Sequence, residues 1–326
     1  MNNDRIQEIL DLMEEARLDY FLISDPQSIA YCTGYYNDPH ERMFVFMISK
    51  HGNHTLFMND LFYLEHDLDV NIVWHKDGQD AIQTIVDEMH FPGRIGIDKN
   101  WASHFLLDLM KKLPDAKYIN ASPCVDLVRM KKDLQEQVLM IESSKINDAV
   151  MEEIIPFIQE GVTEKQLAKK LDELFFNHHS TCYGAIVAFG KNAADPHHEN
   201  DDTPLRKGDC VLIDMGCVYK GYCSDMTRTF FYEGILEEEI KVYEIVKKAN
   251  EAAEAMIKPG VKLSDIDKCA RKVISDEGYG KYFTHRLGHF IGRDVHEYGD
   301  VSSVNEMEVE EGMIFSIEPG IYLEGN

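Results

Sequence analysis

The segment Cys210-Val-Leu-Ile-Asp214-Met-Gly-Cys-Val-Tyr-Lys-Gly-Tyr-Cys-Ser-Asp225-Met-Thr-Arg-Thr-Phe-Phe231 reads as a β-hairpin in which Lys220-Gly221 is the two-residue turn. That turn sets Gly216 opposite Asp225. Residues two apart on a strand share a face, so Asp214 lies on the same face as Asp225 and diagonal to it, within reach of one common centre. Asp214 follows the apolar run Val-Leu-Ile on a strand that should be buried, where a carboxylate is costly unless its charge is matched. A metal ion matches it. A pair of salt-bridged or sheet-edge aspartates is the alternative on this segment alone.

A second cluster, Thr284-His285-Arg-Leu-Gly-His289-Phe-Ile-Gly292-Arg-Asp-Val-His296-Glu297, places three histidines within a short span broken by two glycines. The glycines argue for a loop and strand with close backbone approach, not for one continuous helix. Neutral imidazole ligates Mn, Fe, Co and Zn and also moves protons. A lone histidine more often sits satisfied in a core, whereas three together favour a site. Glu318 follows Met-Ile-Phe-Ser-Ile and is followed at once by Pro319-Gly320, so another carboxylate ends an apolar, strand-like run. Pro196-His197-His198 lies in a stretch, Gly190 to Asp202, of loop composition. Asp, Asp, His and Glu on separate strands form an oxygen-rich set suited to divalent Mn, Co or Fe, or to Zn in a hydrolase.

Outward from these motifs, Arg5 to about Tyr118 alternates between helix and strand and argues for a small α/β domain. Asp4 reads as the cap of a first helix bearing Ile6, Ile9, Leu10 and Met13. Strands are expected at Leu18 to Ile23, ended by Asp25-Pro26, and at Met43 to Ile48, Thr55 to Met58, Ile72 to Trp74 and Arg94 to Ile97, with helices at Asp80 to Met89 and Ala102 to Lys112. Asn120-Ala121-Ser122-Pro123 marks a boundary, giving domains 1–125 and 126–326. In the second, Asp133 and Glu136 start a long helix with Leu134, Val138, Ile141 and Ile146 along one side, ended by Pro156 and Gly161. Thr163 and Gln166 have capping-box spacing for the next helix. Further helices are expected at Glu237 to Met256 and, after Ser264, at Asp265 to Asp276. Strand-rich segments at Gly184 to Ala188, Cys210 to Tyr232 and Met313 to Tyr322 complete an α+β domain.

The chain has 326 residues, enough for two domains with sizeable cores, and a formal net charge of −25 that repels phosphate backbones and anionic lipid. Nucleic acid and membrane are therefore not expected partners. The start, Met1 to Leu10, has no secretory-signal pattern, and no apolar run approaches the roughly 18 residues that span a bilayer. Seven cysteines, odd in number and without C-x-x-C, read as reduced thiols of a cytoplasmic protein.

With these motifs in their order, residues from about Leu134 onward resemble the metallopeptidase family that includes prolidase, aminopeptidase P and methionine aminopeptidase, which has the pita-bread fold. The intervals from His197 to Asp214 (17), Asp214 to Asp225 (11), His285 to His289 (4), His289 to His296 (7) and His289 to Glu318 (29) are similar to those of the prolidase and aminopeptidase P branch. The N-terminal α/β domain resembles the creatinase-type N-domain of that branch, and Thr33-Gly-Tyr-Tyr-Asn-Asp-Pro-His-Glu-Arg42 is similar to bacterial Xaa-Pro dipeptidases.

The resemblance implies two divalent metal ions, Mn first, with Co, Fe or Zn as the others. Asp214 would bind one, Asp225 would bridge both, and His289 with Glu318 would hold the second. Glu318 would also move a proton, His197, His285 and His296 would line the substrate side, and Thr227, two residues beyond Asp225, would be a supporting partner of the ligand set. The implied reaction is hydrolysis of an X-Pro bond in a small peptide with proline at the second position. Xaa-Pro dipeptidase is the first expectation and aminopeptidase P the second. A homodimer whose N-domain restricts access to the site is also implied. The family supplies a second bridging glutamate from a Gly-x-Arg-x-Glu-Asp strand beyond the position of Glu318-Pro-Gly, whereas this sequence ends at Leu323-Glu-Gly-Asn326. Weak binding at Asp214 and Asp225 is the corresponding expectation. A binding protein of the same fold with weak or no catalysis is the competing class.

Overall fold

The computed structural model describes residues 1–65, 67–90 and 92–324, so Gly325 and Asn326 of the chain end lie outside the described residues. The chain divides into two units, Met1–Arg129 and Met130–Asn326.

The first unit runs α1 (Asn3–Glu15), β1 (Tyr20–Ile23), α2 (Pro26–Thr33), β2 (Val45–Ser49), β3 (Thr55–Asn59), β4 (Asn71–His75), α3 (Ala81–Glu88), β5 (Arg94–Ile97), α4 (Ser103–Lys112), β6 (Lys117–Asn120) and α5 (Ser122–Met130). Its six strands lie in the order β4-β3-β2-β1-β5-β6. The pairs β3/β4, β1/β5 and β5/β6 are parallel, while β1/β2 and β2/β3 are antiparallel. Side chains alternate along β1: Phe21 and Ile23 pack with Ile6 and Ile9 of α1 and Val125 of α5, and Tyr20 and Leu22 pack with Ile82 of α3 and Leu109 of α4. Helices thus cover both faces, as an α/β reading requires.

Three local expectations change. Asn2, not Asp4, caps α1 by accepting the Arg5 N–H, which leaves Asp4 in the first turn, where its charge meets the positive end of the helix. Asp25-Pro26 does end β1, but it also starts α2, with Asp25 as cap and Pro26 in the first turn. Ser122-Pro123 likewise opens α5.

The second unit runs α6 (Leu134–Ile154), α7 (Glu164–Asn177), β7 (Thr181–Cys182), β8 (Ile186–Phe189), β9 (Cys210–Met215), β10 (Cys217–Tyr219), β11 (Tyr222–Cys223), β12 (Met226–Phe231), α8 (Glu237–Glu254), α9 (Leu263–Asp276), β13 (Gly288–His289) and β14 (Asp300–Val301). Its three small sheets are antiparallel throughout: β11-β10-β7, β12-β9-β8 and β13-β14. The expected capping box forms at Thr163 with Gln166, and the expected helix start at Asp133 with Glu136 is a capping box as well. Val211, Ile213 and Met215 of β9 point into a core with Val150 and Ile154 of α6 and Leu171 and Phe175 of α7. Each such fully buried apolar side chain contributes about 1.5–3 kcal/mol. By alternation, Leu212 and Asp214 face away from that core.

The buried side of α6 is not the expected one. Of the expected face only Ile146 packs, partly buried, against the core; Leu134, Val138 and Ile141 are exposed, and Met140, Ser143, Asn147, Val150 and Ile154 turn inward. The polar pair goes in because Ser143 and Asn147 donate to the Cys217 and Met215 carbonyls on either side of Gly216, where the hairpin passes from one sheet to the next. Helix α9 begins at Leu263, so Ser264 lies inside it and bonds to Glu306. Met313 to Tyr322 forms isolated bridges at Met313 and Phe315 in place of a continuous strand. All seven cysteines are free. No helix among the described residues is long and apolar enough to cross a membrane.

Candidate metal centre

The hairpin has the expected register. Tyr219 pairs with Tyr222 around Lys220 and Gly221, which have φ of 49° and 82° as a type I′ turn requires, and Asp214 pairs with Thr227 on the far side of Gly216. Thr227 Oγ1 donates to Asp214 Oδ1 at 2.9 Å, so Asp214 is the ligand that the threonine supports. A Cβ on Gly216 would lie 1.9 Å from the Tyr183 hydroxyl and 2.1 Å from the Ser224 carbonyl. Only glycine lets Tyr183 lie across the hairpin and donate to Ser224 O at 2.8 Å, beside the two aspartates. Burial and then the charges of Asp225 and Asp214 push the Tyr183 phenol up, so it remains a neutral donor.

Glu318 and His289 arrive from two segments that run side by side. Ser316 N donates to His289 O and Glu318 N to Leu287 O. A Cβ on Gly288 would sit 1.9 Å from the Ser316 carbonyl, so the glycine permits the approach. Ser316 Oγ accepts the His289 N–H at 3.0 Å and donates to Glu318 Oε1 at 3.1 Å, which fixes both residues.

Ligand atoms of Asp225, His289 and Glu318 all lie within 4.8 Å of one another. His289 Nδ1 donates to Phe290 O at 3.2 Å, leaving Nε2 at 3.3 Å from Asp225 Oδ2 and 3.4 Å from Glu318 Oε1. Burial disfavours a charged His289, but the bond to Asp225 and the Glu318 charge outweigh it, so its pKa is raised. Burial, opposed by His289 and reinforced by Asp225, raises the Glu318 carboxyl. Asp214 is pushed up to about 6, first by burial and then by the Asp225 charge. One nitrogen and several carboxylate oxygens therefore converge in a partly dry site with too little positive charge among them. The donor set fits a divalent cation.

His296 packs edge-on against His289, with ring centroids 4.1 Å apart. His285 Nδ1 donates to the Arg286 carbonyl at 2.6 Å, so Nε2 accepts from the Tyr322 hydroxyl at 2.9 Å. Burial lowers the pKa of both His285 and His296, aided by the Arg271 charge at His285 and by neighbouring His289 and then Arg286 at His296, so these imidazoles are neutral near pH 7. His197 itself is exposed. The expected residues Asp214, Asp225, His289, Glu318, His285 and His296 are thus gathered around one region of the second unit, and His197 is within electrostatic reach of His285 and His296. Behind His285, the Asp267–Arg271 pair of α9 braces the loop. Arg271 donates to the Phe283 and His285 carbonyls, and Asp267 accepts the Leu287 N–H.

Tyr183, Ser316, Tyr322 and Asp267–Arg271 are absent from the motif reading. The pair has an i, i+4 spacing that could have flagged it, whereas the others are single polar residues with no local pattern.

A second group, Glu164, His198 and Asp201, also has ligand atoms within 4.8 Å. Its chemistry differs. Glu164 is fully buried, and its oxygens accept from Phe189 N, Asn192 Nδ2, His198 Nε2 and Asp201 N at 2.6–3.0 Å. Four N–H donors occupy the carboxylate, which leaves it unsuited to a cation.

Comparison with known proteins agrees with this geometry. Residues 138–326 match the sequence profile of Metallopeptidase family M24, and residues 5–131 match that of the Creatinase/Prolidase N-terminal domain. An uncharacterised peptidase of Staphylococcus aureus (strain bovine RF122 / ET3-1) is 34% identical over 330 residues, covering 98% of this chain and 92% of its own. The crystal structure of recombinant prolidase from Thermococcus sibiricus superposes with a TM-score of 0.93 at 32% identity, covering 100% of this chain and 91% of its own. Xaa-Pro dipeptidase from Bacillus anthracis gives a TM-score of 0.91 at 28% identity, covering 99% and 91%.

Proposed function

The chain belongs to metallopeptidase family M24, its peptidase domain preceded by a creatinase/prolidase N-terminal domain, and from that premise we propose that it hydrolyses X-Pro dipeptides. The observation that carries the reading is the convergence of Asp225, His289 and Glu318, with Asp214 on the same hairpin face as Asp225. Two divalent ions, manganese first, would be held by Asp214 with Asp225 and by Asp225 with His289 and Glu318. When bound, such ions supply Lewis acidity toward a carbonyl and an activated water near neutral pH.

The chain's own groups divide the remaining work. Neutral His296, together with His197, offers an N–H donor along one side of the carboxylates, suited to stabilising negative charge on the scissile carbonyl oxygen, whereas His285 lines that side with its one N–H already given to the Arg286 carbonyl. Tyr322 donates to His285 Nε2, which fixes the tautomer and orientation of that ring. Glu318, with its raised pKa and a Ser316 hydroxyl on Oε1, is placed to accept a proton and return it to the leaving nitrogen. Proline's nitrogen carries no N–H in the peptide, so cleavage of X-Pro needs a proton delivered to that atom. Likeness to a prolidase and to an Xaa-Pro dipeptidase over nearly the whole chain supports the dipeptide preference.

The test is proline release from Gly-Pro and Met-Pro by metal-stripped protein refilled with manganese, beside an X-Pro-Y tripeptide. Cleavage of dipeptides with little action on the tripeptide supports the assignment. Preference for the tripeptide points to an aminopeptidase, and no cleavage of either refutes the X-Pro reading.

A further inference from the structure

Phe189 ends β8, Asn192 lies in the following 3-10 turn, and His198 and Asp201 lie beyond His197 in the same loop. All four donate to the one carboxylate of Glu164, at the first position of α7. Oε1 takes the Phe189 N–H and the Asn192 amide, and Oε2 takes His198 Nε2 and the Asp201 N–H. A carboxylate accepts only, so His198 Nε2 carries the proton. Lys165 N and Glu164 N donate in turn to the Asp201 and Thr203 carbonyls, and Asn192 also reaches Thr203 Oγ1. The loop is therefore closed around a buried carboxylate, and its exposed part carries His197, held locally by its N–H to Asp195 Oδ1 at 3.0 Å.

We propose that Glu164 is a positioning residue for His197: its carboxylate clamps both ends of the loop from 189 to 201 and so sets that imidazole on the substrate side of the metal centre. The inference rests on the X-Pro reading, which gives His197 its task. Glu164 touches no reacting atom. Its chemical requirement is specific, because four converging N–H donors need a group that only accepts. Gln puts an NH2 where one pair of donors points, and Asp, one methylene shorter, does not reach both pairs.

The experiment is a double-mutant cycle of Glu164→Gln and His197→Ala in kcat/KM for a Met-Pro dipeptide, with manganese binding and amide hydrogen exchange measured on each protein. Glu164→Gln alone should lower kcat/KM by about ten- to a hundredfold, the scale expected when a reactive group is misplaced by an ångström or less. In the His197→Ala background the same change should cost less than about twofold, since residues acting as one unit are not additive. Manganese affinity should be unchanged, and the Phe189 and Asp201 amides should exchange faster. His198→Ala, which removes a single donor, should repeat the pattern more weakly and carries the test if Glu164→Gln fails to fold. Effects that multiply in full across the cycle, or protection at Phe189 and Asp201 that survives Glu164→Gln, would overturn the proposal. Absence of dipeptide cleavage by the unaltered chain would instead overturn the functional reading, because amide exchange still reports the clamp.

Discussion

Two clusters in the same unit contain the same residue types, each drawn together in space from distant parts of the chain. The ligand atoms of Glu164, His198 and Asp201 lie within 4.8 Å of one another, and so do those of Asp225, His289 and Glu318. In the first, a buried carboxylate is saturated by N–H donors, two from the backbone and two from side chains. In the second, an imidazole nitrogen faces oxygens of two carboxylates, and Asp214 adds a third carboxyl with its pKa pushed up to about 6. Proximity of ligand types therefore does not identify a metal site. The balance of donors and acceptors does: the first cluster is complete, and the second lacks positive charge.

Removing the central carboxylate from each cluster should give opposite results. Asp225→Ala should lower dipeptide cleavage by on the order of 10⁴-fold, as loss of an essential active-site group does, and should abolish manganese binding. Retained manganese affinity in that variant would break the distinction.

Stability should separate the clusters in the other direction. Glu164→Ala leaves four donors, one buried and three part-buried, without their acceptor and should cost about 3 kcal/mol, read as a lower denaturation midpoint. Asp225→Ala in metal-free protein relieves repulsion with Asp214 and Glu318 and should change stability by less than about 1 kcal/mol. Equal losses in denaturant titrations would show that both carboxylates are simply structural.

The pH dependence follows from the raised carboxyls. Asp214 has a folded pKa of about 6 against an ordinary 3.8, so its protonated form is the one the fold favours. Its contribution to stability is present in full below the unfolded value and is lost as pH rises through the folded one. Glu318 shifts in the same direction. Metal-free protein should thus lose stability between about pH 4 and 7 from these groups, and manganese should raise the melting temperature more at pH 7.5 than at pH 5.5, where protons compete for the same oxygens. A manganese effect on melting that is equal at the two pH values would contradict this. Smallest is Thr227→Val, which removes the hydroxyl on Asp214 and should weaken manganese about tenfold without altering the fold.

Much of the second cluster is legible in the sequence because its parts are local. A Lys-Gly turn sets the hairpin register, the register sets Asp214 and Asp225 on one face, and the histidine and Glu318 motifs carry their own spacing. The first cluster is not legible, since Glu164 and His198 are 34 residues apart and His198 stands beside the more conspicuous His197. Helix α6 shows the limit of periodicity. Leu134, Val138 and Ile141 recur at helical spacing, yet the face with Ser143 and Asn147 is buried because backbone carbonyls beside Gly216 require donors. In the first unit, Asp25-Pro26 and Ser122-Pro123 read as breaks because proline ends strands, but proline in a first turn also begins helices, and there it does.

Calorimetric titration of manganese into metal-stripped protein at pH 7.5, run side by side on the unaltered chain, Asp225→Ala and Glu164→Gln, tests the central distinction most directly. The account predicts equal affinity for the unaltered chain and Glu164→Gln, and no binding by Asp225→Ala. Manganese binding that survives Asp225→Ala, or that is lost in Glu164→Gln, would contradict it.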